Sequence, residues 1–97
     1  MDLSKYINAT EPTLLEFYAD WCPHCQRMMP VVAQIKRDFE GRANIVQIEG
    51  DRNPGLMKEY DVDSFPTWIL YKEGQEVWRD GGEKPFSELR DMIDRFV

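Results

Sequence analysis

The chain has 97 residues, 42% of them hydrophobic and 12% aromatic, and a formal net charge of −6. That is apolar material for one core and not for two, so disorder is not expected and a single domain over residues 1–97 is. The acidic balance argues against nucleic acid or anionic membrane as partners, and no apolar run approaches the ~20 residues that cross a bilayer.

The N-terminal MDLSKYINATEP carries neither the basic nor the apolar stretch of an export signal, and two cysteines make no disulfide framework. The expected compartment is the cytoplasm, although a mature exported domain begun on a new methionine reads the same way.

Leu3, Tyr6 and Ile7 fall on one helical face, and Glu11-Pro12 ends that short helix. TLLEFYA, residues 13–19, is a nearly unbroken apolar run of β-formers. It predicts a central strand buried on both faces, with Glu16 its one charge. From Cys22 to about Glu40 the period changes, and Met28, Val32, Ile35 and Phe39 form a helical stripe. Pro30 is expected to kink this helix and Gly41 to cap it. NIVQI, residues 44–48, is a short strand. Asn53-Pro54 supplies an N-cap and first position for a short helix that turns Leu56, Met57 and Tyr60 inward.

DVDSFPT is a loop, and TWILYK (67–72) and EVWR (76–79) are the two arms of a hairpin across the turn EGQ. Gly81-Gly82 reads as a flexible break. Pro85 opens a last helix with Phe86, Leu89, Ile93 and Phe96 on one stripe. The order α-β-α-β-α-β-β-α implies parallel strands joined by helical crossovers and closed by a hairpin. The fold class is α/β, a mixed sheet with helices on both faces.

Both cysteines and the only histidine lie in Trp21-Cys22-Pro23-His24-Cys25. A structural zinc site wants four Cys or His ligands and the chain offers three, so a metal would need a second subunit. Haem attachment needs a histidine where Gln26 stands. As a staple, so short a loop is worth only ~2 kcal/mol, against ~3 for one of 15 residues.

A redox pair fits better, because the motif sits between a central strand and a helix. Cys22 then falls at the helix N-terminus, where free N–H groups and the dipole favour a thiolate, and Cys25 follows one turn on. An imidazolium at His24 would favour that thiolate further; otherwise the ring simply points to solvent. Stabilising the thiolate stabilises the dithiol, so the couple is expected to be more oxidising than in a His24→Pro variant.

FYADWCPHC, Pro30 within the next helix, DRNPG, the SFPT loop before a strand, and Gly81-Gly82 before the last helix together resemble the thioredoxin family over residues 12–97. The resemblance implies a thioredoxin-like domain that exchanges disulfides with protein substrates through Cys22 and Cys25, without metal or other cofactor. A reductase or oxidase would recycle the couple.

The same resemblance implies a cis Pro66 packed against the sulfurs and a Phe65 backbone that pairs with a substrate strand. Trp21, Pro23, Phe65, Pro66 and Gly82 would form the apolar surface around Cys22. It makes Glu16 a buried acid that accepts the Cys25 proton, its pKa raised by burial.

The sequence departs from the family's pattern in three ways. Gln47 stands where many members place a lysine near the acid. Too few residues precede TLLEFYA for the usual first strand, which leaves four strands with NIVQI at an edge; a monomer is expected, with pairing through that edge the alternative. Pro-His between the cysteines resembles the periplasmic thiol oxidases, whose helical insertion has no room here. Two other functions stay open: a glutathione-linked, glutaredoxin-like enzyme, and a binding scaffold whose CxxC is incidental or holds a metal.

Overall fold

The apolar run at Thr13–Tyr18 forms β1, an inner strand of a four-stranded sheet in the order β2-β1-β3-β4. The computed structural model describes residues 1–97, with α1 at Ser4–Ile7, α2 at Pro23–Asp38, β2 at Asn44–Glu49, α3 at Pro54–Glu59, β3 at Thr67–Lys72, β4 at Gln75–Gly81 and α4 at Phe86–Asp94. The sheet has four strands with β2 at one edge, as expected.

Alternation along β1 sends side chains to two cores. Leu14 joins Met28, Val32, Ile35 and Phe39 of the α2 stripe, Trp68 and Leu70 of β3, and Leu89 and Ile93 of α4. Leu15 and Phe17 face the other way, with Leu3, Ile48, Val62 and Ile69, and residues of α1 and α3 pack against them. Period 2 puts Glu16 on the side of Leu14, under α2.

The sheet is less parallel than the crossover pattern suggests. β1 pairs with β2 in parallel, but β3 is antiparallel to β1 and β4 antiparallel to β3. The reason is the length of α3. Its six residues rise about 9 Å, against about 20 Å for a six-residue strand, so the chain stays at the end of the sheet where β2 finished. β3 therefore enters beside the end of β1, Thr67 opposite Phe17.

Three local expectations are also corrected. The β4 arm runs on to Gly81, so Gly81-Gly82 is no flexible break; Gly82 N–H donates to the Pro66 carbonyl at 2.9 Å. Phe39, not Gly41, caps α2, and Gly41 follows it at φ +80. Asn53 occupies the N-cap of α3, yet its side chain donates to the Glu49 carbonyl at 2.8 Å instead of capping. The helix α2 continues through Pro30.

Candidate active site

Cys22 sits one residue before α2, in extended conformation, with Pro23 at the first helical position. Proline there loses no intrahelical bond, and the residue before it is held out of the helical region. The Cys22 sulfur then takes the place of a capping oxygen and accepts the Cys25 N–H at 3.3 Å. The sulfur thus stands among the free N–H groups of a helix start. Both cysteines are buried free thiols, and they pack with Ala19, Tyr18 and Phe65. Burial, reinforced by the Cys22 hydrogen bond, pushes the Cys25 thiol up to about 12.

Phe65 and Pro66 come to this point from the loop before β3. Their peptide bond is cis, as the resemblance implied. The Phe65 carbonyl lies 3.8 Å from the Cys22 sulfur, placed to accept its proton. Trp21 is 65% exposed, so it is not a core residue. Its ring meets Phe65 edge-on at 6.1 Å, and its indole N–H donates to Asp51 at 2.6 Å. Pro23 and Gly82 are exposed on the same end of the molecule, Gly82 held by its bond to Pro66. No group of three or more His, Cys, Asp or Glu side chains is placed to hold a metal ion.

Glu16 is fully buried beneath α2. Desolvation raises its pKa to about 7, opposed by a hydrogen bond from Gln47 and the charge of Lys36. Oε1 accepts from Gln47 Nε2 at 2.9 Å, while Oε2 has no hydrogen-bond partner. Its charge reaches Cys25.

His24 behaves differently from the sequence expectation. Its Nδ1 lies 2.7 Å from Glu83 Oε2 and makes no hydrogen bond to sulfur. Arg27 donates to the same carboxylate oxygen at 2.9 and 2.7 Å, and the hydrogen bonds with Arg27 and then His24 hold the Glu83 carboxyl down at about 2.

Five site residues were not legible from the motif: Lys36, Arg27, Asp51, Glu83 and Gly50. Asp51 and Glu83 lie 30 and 59 positions from the side chains they hold, and no local signal marks them. Gly50 could have been suspected from a glycine closing a strand. A Cβ there would stand 2.4 Å from the Phe65 ring.

The thioredoxin family model matches residues 2–95. A thioredoxin of Staphylococcus aureus is 37% identical over 84 residues, spanning 87% of this chain and 81% of the relative. Among solved structures, a mutant thioredoxin of Halobacterium salinarum superposes with a TM-score of 0.87 at 31% identity, covering 97% of this chain and 81% of that one. The thioredoxin of Fasciola hepatica superposes at 0.88 with 28% identity, covering 98% and 91%. Thioredoxins act on protein disulfides through a cysteine pair, need no external cofactor, and are recycled by a reductase. With its CxxC pair at the head of a helix and this four-stranded frame, the chain belongs to the thioredoxin family and is a thiol–disulfide oxidoreductase.

Proposed function

We propose a division of labour in which Cys22 attacks, Cys25 resolves and Glu16 takes the proton that Cys25 must lose. The observation that carries it is the contrast between the two sulfurs. Cys22 receives an N–H at a helix start, while Cys25 is held as a thiol above a buried carboxyl whose pKa lies near 7.

The Cys22 thiolate attacks a substrate disulfide, forming a Cys22–substrate mixed disulfide and expelling one substrate thiolate. Cys25 gives its proton to Glu16 and attacks the Cys22 sulfur. The Cys22–Cys25 disulfide forms, the second substrate thiolate leaves, and two electrons have passed to the substrate. A reductase returns them. A general base with a pKa near the working pH suits the middle step.

Trp21, Pro23, Phe65, Pro66 and Gly82 form the surface that receives the substrate chain, with His24 beside it. We infer that residues 1–97 work as one domain and as a monomer, since the β4 edge is exposed and carries the charges of Glu76, Arg79 and Asp80. The cytoplasm, where thiols are kept reduced, suits a chain with one reactive pair and no disulfide framework.

The test is trapping. A Cys25→Ser variant should accumulate a mixed disulfide on Cys22 with a disulfide-bonded protein such as insulin, and Cys22→Ser should accumulate none. Equal trapping by both variants overturns the assignment. For Glu16, the rate at which Cys25 resolves a preformed Cys22 mixed disulfide should fall at least tenfold in Glu16→Gln.

A further inference from the structure

β1 and β2 run in parallel register with Glu16 opposite Gln47, so both side chains leave the sheet on the face that α2 covers. Lys36, in the last turn of α2, reaches back over this pair. Its Nζ donates to Gln47 Oε1 at 2.8 Å, and Gln47 Nε2 donates to Glu16 Oε1 at 2.9 Å. The second Nε2 hydrogen faces Met29 sulfur at 3.9 Å, a weak acceptor.

A side-chain amide can present either its oxygen or its nitrogen to a neighbour, and here the choice has chemical consequences. Turned one way it donates to a carboxylate; turned the other, its oxygen accepts from a protonated acid. An ammonium has donors only, so the Gln47 oxygen must face Lys36 and the NH2 must face Glu16. We propose that Lys36 and Gln47 are positioning residues: the Lys36 ammonium pins the Gln47 amide so that it can only donate to Glu16, holding that buried acid ready to accept the Cys25 proton. This rests on the reading of Glu16 as the proton acceptor.

The arrangement delivers the effect of a cation without burying one. Lys36 stays exposed, where its direct attraction for Glu16 is screened, while the amide carries its influence into the core. The remaining titratable groups that face Glu16 are Cys25 from α2 and Tyr18 from its own strand. β3 places Trp68 opposite it, which does not titrate. Neither Cys25 nor Tyr18 carries positive charge, so the Lys36–Gln47 chain is the one that opposes desolvation of the acid.

The Glu16 carboxyl carbon, followed by NMR in the reduced protein, reads this directly. Gln47→Leu should raise the Glu16 midpoint by about one pH unit, the loss of one hydrogen bond to a charged group. Lys36→Met should raise it by roughly half as much, and Lys36→Arg, which is also donor-only, should restore the wild-type midpoint. The double variant Lys36→Met/Gln47→Leu should titrate close to Gln47→Leu alone, because Lys36 acts mainly through the amide and its direct charge is screened. An unmoved midpoint in Lys36→Met overturns the proposal, and so does a double shift equal to the sum of the single ones. The titration does not depend on catalysis. If Glu16→Gln resolves mixed disulfides at the wild-type rate while these shifts appear, the proton-acceptor reading falls and the positioning by Lys36 stands.

Discussion

His24 Nδ1 lies 2.7 Å from Glu83 Oε2, and the same oxygen is held by Arg27. The histidine between the two cysteines is therefore tied across to the segment before α4, beside the Arg27 cation. The charge of Cys22 also reaches Arg27. Glu83→Gln frees the Arg27 cation to act on the Cys22 thiolate and should make the couple more oxidising, since a stabilised thiolate stabilises the dithiol. His24→Pro removes the one side chain between the sulfurs that can take up a proton and should make it less so. The pair is exposed, so each change is small, roughly two- to fivefold in the equilibrium constant against glutathione, and shrinks at high salt. Equal constants for wild type and Glu83→Gln would show that the carboxylate does not attenuate Arg27.

The two sulfurs should differ in alkylation as they differ in surroundings. Burial pushes Cys25 up to about 12, so in the reduced protein iodoacetamide near neutral pH should label one thiol, at Cys22. In Cys22→Ser, the remaining Cys25 is still buried and should resist labelling near neutral pH until the chain unfolds. Peptide mass mapping decides this, and prompt labelling of Cys25 in the folded variant would contradict its place in the scheme.

How much of this was legible beforehand follows from the range of each interaction. Cys22, Cys25 and the helix they head lie within a few residues, so the local pattern was enough to place them, while Glu16 as a buried acid came from the resemblance. The loop carrying Phe65 and Pro66 was placed by resemblance, not by pattern. Strand direction was not legible, because it depended on α3 being too short to span the sheet. Charge partners were the least legible. Gln47 was read as a missing lysine, yet Lys36 supplies the ammonium from another element, through the amide. Glu83 intercepts His24 from 59 positions away. Such contacts exist only once the elements pack.

Gly50 closes β2 directly under the Phe65 ring. A Cβ there would stand 2.4 and 2.5 Å from two ring carbons and 2.7 Å from Met57 sulfur. Met57 can bend away, but the ring is rigid and is also held edge-on by Trp21. Gly50→Ala should therefore displace Phe65, at a cost of about 1–3 kcal/mol for overpacking. Because the Phe65 carbonyl faces Cys22, the variant should also raise KM for a protein disulfide more than it lowers kcat. Wild-type stability and kinetics in Gly50→Ala would mean that this ring is free to move.

The buried acid should leave its mark on stability as well as on rate. An unfolded glutamate titrates at its ordinary 4.5, whereas burial raises folded Glu16 to about 7. Between these values the folded protein holds a proton that the unfolded chain has lost. Its contribution to stability is therefore complete below about pH 4.5, falls as the pH rises, and is gone once the pH passes about 7. A separation of that size corresponds to roughly 3 kcal/mol. Glu16→Gln keeps the shape of the protonated side chain and cannot ionise, so it should match the wild type at pH 4.5 and exceed it by roughly that amount at pH 8. Comparing the two reduced proteins by urea unfolding across this range cancels the surface carboxylates common to both. A constant difference between them at every pH would mean that folded Glu16 titrates like an exposed glutamate, and its claim to take a proton from Cys25 near neutrality would go with it.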